Sequence, residues 1–277
     1  MKTIAKIILI LAVAVYTTPV VYSQNTQTDQ LVVPLSNPGK PFTLKASLLE
    51  GSIKVVSYEG KEVVIDISST GTIGRNEAKE TDKGMRRISS SGGYEVTAKE
   101  NDNIVSVSTG FPGKAYNLSF KIPRDANVTL NIGTVNSGNI EVENVKGELE
   151  VTNVNGDIKL TNITGSVVCN TVSGEISTTF DAVTPQAPMA FSTLSGNINV
   201  TFPADLKANL KLKSDMGEVY TDFEIDIDKS LPKKQQTTER GVYKVKLEEW
   251  IYGKVNGGGP EIMMKNMSGN IYVKKGK

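Results

Sequence analysis

The sequence predicts an all-β protein, a β-solenoid of short stacked strands, and three observations carry that prediction. Glycines recur every nine residues at Gly138, Gly147, Gly156, Gly165 and Gly174. Each is followed by an apolar alternation: Ile140/Val142, Leu149/Val151, Ile158/Leu160, Val167/Cys169, then Ile176. Asn144, Asn153 and Asn162 stand nine apart, just before the next unit opens. Self-similarity at a short fixed period marks a repeat array. No single unit buries its apolar face, whereas stacked units bury a continuous core.

Within a unit the period-2 alternation sends Ile158 and Leu160 to one face and Asp157, Lys159 and Thr161 to the other. Nine is odd, so strict alternation would exchange the faces from unit to unit, and a corner must absorb a residue. Asparagine tolerates a left-handed backbone and suits such a corner. Glycine supplies positive φ or close backbone approach. A meander of antiparallel hairpins is the competing reading. Only Asn155-Gly156 has the favoured hairpin-turn sequence, while the other units carry Ser-Gly, Lys-Gly or Thr-Gly.

Residues 1–23 read as a signal peptide, with Lys2 and Lys6 ahead of an apolar run, Ile7 to Val15, too short to span a bilayer. Gln24 becomes the mature start. Residues 24–41 are a polar N-terminal lead, and 42–277 form the solenoid domain, with insertion loops near 70–94, 181–190 and 229–241. The closing unit, Met267-Ser-Gly-Asn-Ile-Tyr-Val, is expected at one end of the stack. No stretch of the mature chain reads as a transmembrane span.

The chemistry is narrow. The chain has no His, which removes Ser-His-Asp and Cys-His sites and nearly all zinc enzyme sites. Basic and acidic residues balance, 31 against 30, leaving no electrostatic footprint for nucleic acid. The one cysteine, Cys169, falls on an inward position and reads as an inert core residue. No cofactor and no metal site is expected. Glu141, Glu143, Glu148 and Glu150 point outward on neighbouring units. They supply the one enzymatic alternative, polysaccharide chemistry on surface carboxylates, and a weak Ca²⁺ site as a further alternative. The N-x-S/T triplets at Asn117, Asn127, Asn162, Asn199 and Asn266 read as by-products of turn chemistry.

Four residues are candidates for an interaction surface. Arg86 and Arg87, in the charged segment 70–94, offer a fork for an acidic sugar or phosphate, although a solvated insertion explains the segment as well. Trp250 and Tyr252 share a strand face. That pair reads first as a cover for the end of the core, with a sugar platform or a partner anchor as the alternative.

Two stretches resemble a known family: KGMRRISSSGGYEVTAKENDNIVSVST at residues 83 to 109, and MGEVYTDFEI with WIYGKVNGGGPEIMMKNMSGNIYVKK between 216 and 275. They are similar to the toast-rack, adhesin-like β-strand-repeat proteins of the bacterial envelope, in their Bacteroidetes form. The resemblance implies a β-solenoid exported to the periplasm or cell surface. It also implies a non-catalytic role, either adhesin-like contact with an envelope polymer or protein, or a periplasmic part in envelope-stress signalling. It brings no catalytic residues.

Overall fold

A computed structural model describes residues 28–69, 95–110, 115–228, 233–239, 242–248 and 250–276. In chain order its strands are β1 (Thr28–Pro34), β2 (Phe42–Leu48), β3 (Gly51–Tyr58), β4 (Glu62–Ser69), β5 (Val96–Asn101), β6 (Ile104–Thr109), β7 (Tyr116–Pro123) and β8 (Ala126–Ile132). The central run follows as β9 (Ser137–Glu143), β10 (Lys146–Thr152), β11 (Ile158–Ser173), β12 (Ile176–Val183), β13 (Met189–Ser195) and β14 (Ile198–Phe202). The last part holds β15 (Ala208–Ser214), β16 (Val219–Thr221), β17 (Ile225–Ile227), β18 (Lys233–Glu239), β19 (Val242–Glu248), β20 (Ile251–Val255), β21 (Glu261–Ser268) and β22 (Ile271–Lys275). Among the described residues no helix is long and apolar enough to cross a membrane.

The nine-residue unit is half a coil. Parallel partners lie eighteen residues apart: Ile140 pairs with Ile158 and Ile158 with Ile176, while Leu149 pairs with Val167. Each rung therefore gives one strand to a front sheet and the next to a back sheet. In the front sheet the parallel order is β6, β2, β8, β10, the second half of β11, β13, β21, β15. In the back sheet it is β7, β3, β9, the first part of β11, β12, β14, β22, β16. The solenoid expectation holds, with two faces per turn. Ile158 and Leu160 are buried between the sheets. Cys169 is buried with them, and burial pushes its thiol well above the ordinary range.

The odd repeat is absorbed differently at the two corners. Where the chain passes from back to front, Asn144 (φ 59°) and Asn162 (φ 55°) are left-handed, and Asn162 Nδ2 donates to Asn144 Oδ1 at 3.0 Å. Where it passes from front to back, Asn153 is not left-handed but buried, and its Nδ2 donates to the carbonyls of Gly138 (2.9 Å) and Gly156 (3.2 Å). Thr193, Asn266 and Ser214 repeat this role on later rungs, donating to Gly174, Gly196 and Gly269 carbonyls. The residue after each glycine adds a second ladder: Asp157 N–H donates to Asn139 Oδ1 and Glu175 N–H to Asp157 Oδ1. These bonds account for the recurring Ser-Gly-Asn and Asn-Gly-Asp triplets, since a buried corner needs its polar backbone groups paired. Two of the N-x-S/T asparagines, Asn162 and Asn266, belong to these corners.

Spatial order departs from chain order at both ends. The rung of β21 and β22 lies inside the stack, between β13/β14 and β15/β16. The expectation of a terminal position for the closing unit is thus corrected: its Asn270 bridges Asn197, 73 residues earlier, and Glu218. Likewise β2 and β3 lie between β6/β7 and β8/β9. Antiparallel strands flank the outer rungs: β5 on β6, β4 and then β1 beyond β7, and β20 and then β17 beyond β15. Covering an outer strand in this way limits edge-to-edge pairing. The strands β18 and β19 pair with each other as a separate hairpin.

One clasp ties the N-terminal end. Ser36 N–H and Oγ donate to Glu100 at 2.9 and 2.8 Å, and Asn103 N–H donates to Glu100 at 3.0 Å. The Ser36 bonds, the backbone one foremost, hold this carboxyl below the usual glutamate range. A lowered folded value adds stability that is complete above the unfolded value, about 4.3, and lost as pH falls through the lowered one. We expect wild type to melt slightly above Glu100→Gln at pH 7, with the gap closing below the ordinary glutamate range. A gap unchanged across a thermal-melt series down that range would refute the assignment.

Candidate interaction surface

The outward acids separate. Glu148 and Glu150 lie on β10 of the front sheet, opposite Ser166 and Val168, while Glu141 and Glu143 lie on β9 of the back sheet. The two pairs therefore face away from each other across the core, and no single cluster joins them. Glu141 and Glu143 both hold Lys54, at 3.3 and 3.1 Å, and these bonds, Glu143 foremost, raise the lysine above its ordinary value. Among the described residues no group of three or more His, Cys, Asp or Glu is placed to hold a metal ion. The four acids therefore do not form one group, and the polysaccharide-enzyme and Ca²⁺ alternatives rest on one pair or the other.

Trp250 and Tyr252 come together on the outer face of the front sheet. On β20, Gly253 and Val255 are buried, so Tyr252 and Lys254 face out, and Trp250 precedes them at the same parity. Tyr252 is the register partner of Lys211 on β15. The Lys211 ammonium sits 4.9 Å from the Trp250 ring centroid and that of Lys213 lies 5.9 Å away. Such cation–π contacts contribute about 0.5–1 kcal/mol at exposed sites and more where water is excluded. Lys213 also pairs with Asp215 at 2.9 Å, and its side chain is only 14 % exposed. Trp250 is therefore half-buried against lysine stems and ammoniums rather than in the core. The expectation of a core cover gives way to this outer-face position, while Phe223, in the crossing from β16 to β17, is buried in the core.

Beside this cluster lies a depression of about 490 Å³ whose lining includes Lys211, Tyr252, Lys254, Asp226, Asp228 and Glu261. Aromatic faces, ammoniums and carboxylates thus share one strand surface, with three acids and two lysines in the lining of the depression. Arg86 and Arg87 lie outside the described residues. Sequence reasoning missed the lysines: Lys211 and Lys213 precede Trp250 by about forty residues, and only the antiparallel return of β20 brings them beneath it. Their alternation with Leu210 and Leu212 was the available signal.

On the back sheet Tyr220 and Tyr272 stack at the same end, ring centroids 5.1 Å apart and 10° from parallel. Tyr220 donates its hydroxyl to Glu218, which raises the phenol above its ordinary value, and Asn270 donates to the Tyr272 hydroxyl at 3.0 Å.

A search of curated proteins finds no match. Among solved structures, a "putative cell adhesion protein" from Clostridium sporogenes is 12 % identical with a TM-score of 0.45, over 91 % of this chain and 100 % of that one. A "putative adhesin" from Bacteroides fragilis is 12 % identical with a TM-score of 0.39, over 90 % and 97 %. Another "putative adhesin", from Parabacteroides distasonis, is 7 % identical with a TM-score of 0.32, over 91 % and 98 %. The family model described as Toastrack DUF4097 matches residues 126–274, more than half of the chain and all of its central rungs. With that match laid over a stack of parallel two-strand rungs, the chain belongs to the Toastrack DUF4097 family.

Proposed function

We propose that this protein is an exported, non-catalytic component of the bacterial envelope that binds an extended polymer along the outer face of its front sheet. The observation that carries this reading is Trp250, held half-exposed by Lys211 and Lys213 beside Tyr252 on a rigid sheet. A stack of parallel strands presents a straight surface that matches a repeating partner over several of its units. The ligand classes that fit are an envelope polysaccharide or a protein segment bearing hydroxyl and acidic groups.

Cosedimentation with purified envelope polysaccharide and with insoluble cell-wall polymer tests the reading. Trp250→Ala is expected to bind about tenfold more weakly, the loss of one aromatic face from the polymer contact. Equal binding by wild type and variant, or no binding to either polymer, would overturn it. So would shortening of the polymer by wild type that Glu150→Ala abolishes. Protease shaving of intact against lysed cells separates a surface location from a periplasmic one, and with it adhesion from a role in envelope-stress signalling.

A further inference from the structure

We propose that the front-to-back corner of the stack is the interface through which two copies of this chain associate side by side. The starting point is a sequence position whose burial the repeat does not explain. Two residues before the glycine of most units stands an apolar side chain, while Asn136 and Asp215 take that place before Gly138 and Gly217. At the back-to-front corner these are Val145 and Ile163, both buried. At the front-to-back corner the equivalent Val172 and Leu194 point into solvent. Leu49, Val135, Val172, Leu194, Met267 and Met216 occupy this corner on six of seven successive rungs, and each is between 37 and 70 % exposed. Half-buried Val154 fills the remaining rung. The ladder pairs Thr171 with Thr193 and Thr193 with Asn266, which puts Val172, Leu194 and Met267 in line. The pairing of Ser214 with Asn266 sets Asp215 opposite Met267 and brings Met216 to the same edge one residue on.

The result is an apolar ridge about 29 Å long at the ~4.8 Å spacing of neighbouring strands. It exposes on the order of 500 Å² of apolar surface, a size that marks an interaction site on a soluble protein. Two such ridges would bury about 1,000 Å², the lower bound for a specific interface.

Shape and charge favour a second copy over a lipid surface. The ridge follows the strand spacing, with an apolar side chain at each rung and with Asn136 and Asp215 beside it on two of them. A partner with the same spacing meets every side chain, and a second copy has that spacing by construction. The back flank carries Asp157, Glu175 and Glu218, which repel an anionic bilayer surface. The front flank carries Lys213 and Lys265 in register with one another. A two-fold axis parallel to the stack sets the front flank of one copy against the back flank of the other at the same level, so exposed Lys265 and the Lys213–Asp215 pair come beside Glu218 of the second copy, with Glu175 two rungs from Lys265.

Sedimentation-velocity ultracentrifugation of the purified chain from 1 to about 100 μM is the test. Wild type is expected to form a dimer, and V172K/L194K to raise its dissociation constant at least about 100-fold. Both positions are exposed, so the variant is expected to melt with wild type, as is Ser177→Lys on the outer back sheet, which should still dimerise. A wild-type monomer throughout the range overturns the proposal, as does a dimer that V172K/L194K leaves intact. A monomer that binds phosphatidylethanolamine/phosphatidylglycerol vesicles through Val172 and Leu194 overturns it in favour of a membrane contact.

Discussion

Leu160→Asp is expected to abolish cooperative folding near room temperature, whereas Lys159→Asp on the same strand is expected to leave it intact. Leu160 is 1 % exposed, and its strand is paired on both sides, with Val142 and with Thr178. Removing the leucine forfeits about 1.5–3 kcal/mol of burial. Among the described residues no lysine or arginine is buried, so the carboxylate that replaces it is unpaired, and an unpaired buried charge costs several kcal/mol even after relaxation. The sum approaches the whole stability of an ordinary domain, about 5–15 kcal/mol. Lys159 faces solvent one residue away, where a substitution shifts stability by about 0.5 kcal/mol or less. Parallel thermal melts of the two variants decide the matter: equal midpoints would mean that the inward row runs through Lys159 or that the sheets enclose no core here.

The inward row was legible because burial acts on every second residue, and Ile158, Leu160, Val167 and Cys169 carry that signal directly. Two other features were not. A nine-residue period does not reveal whether each unit returns to the same face or to the opposite one. That depends on how sharply Asn144 and Asn162 turn, and left-handed asparagine at one corner alternates with buried asparagine at the other. For the same reason Val145 and Val172 look equivalent in sequence, yet one packs in the core and the other lies outside. Spatial order was also hidden. Nothing local distinguishes Met267-Ser-Gly-Asn from Leu194-Ser-Gly-Asn, and both make the same corner bonds, so the closing rung fits between earlier ones as well as at an end. The Trp250 cluster was half legible: the alternation put Trp250 and Tyr252 on one face, but which face depended on the antiparallel return of β20 across β15.

Gly174→Ala is expected to destabilise the stack by about 3 kcal/mol or more, whereas Gly39→Ala costs about 1–2 kcal/mol, the ordinary strain of a side chain on a left-handed backbone. Both glycines have positive φ, 147° and 84°, so conformational strain alone does not separate them. Close approach does. A Cβ on Gly39 meets nothing within 4 Å, while one on Gly174 lies 2.2 Å from the Gly156 carbonyl oxygen and 2.6 Å from its carbon. Those atoms are backbone and cannot swing aside as a side chain would. They also belong to the corner ladder: Gly156 N–H donates to Ser173 and Gly174 N–H to Ser195, at 2.8 and 2.9 Å. Relieving the clash therefore separates neighbouring rungs and stretches bonds worth about 1 kcal/mol each. The next rung is built the same way, since a Cβ on Gly196 would lie 2.1 Å from the Gly174 carbonyl oxygen. Equilibrium denaturation of the two alanine variants measures the difference. Equal losses would show that glycine recurs at this corner for its left-handed backbone alone, and that the rungs can part there at little cost.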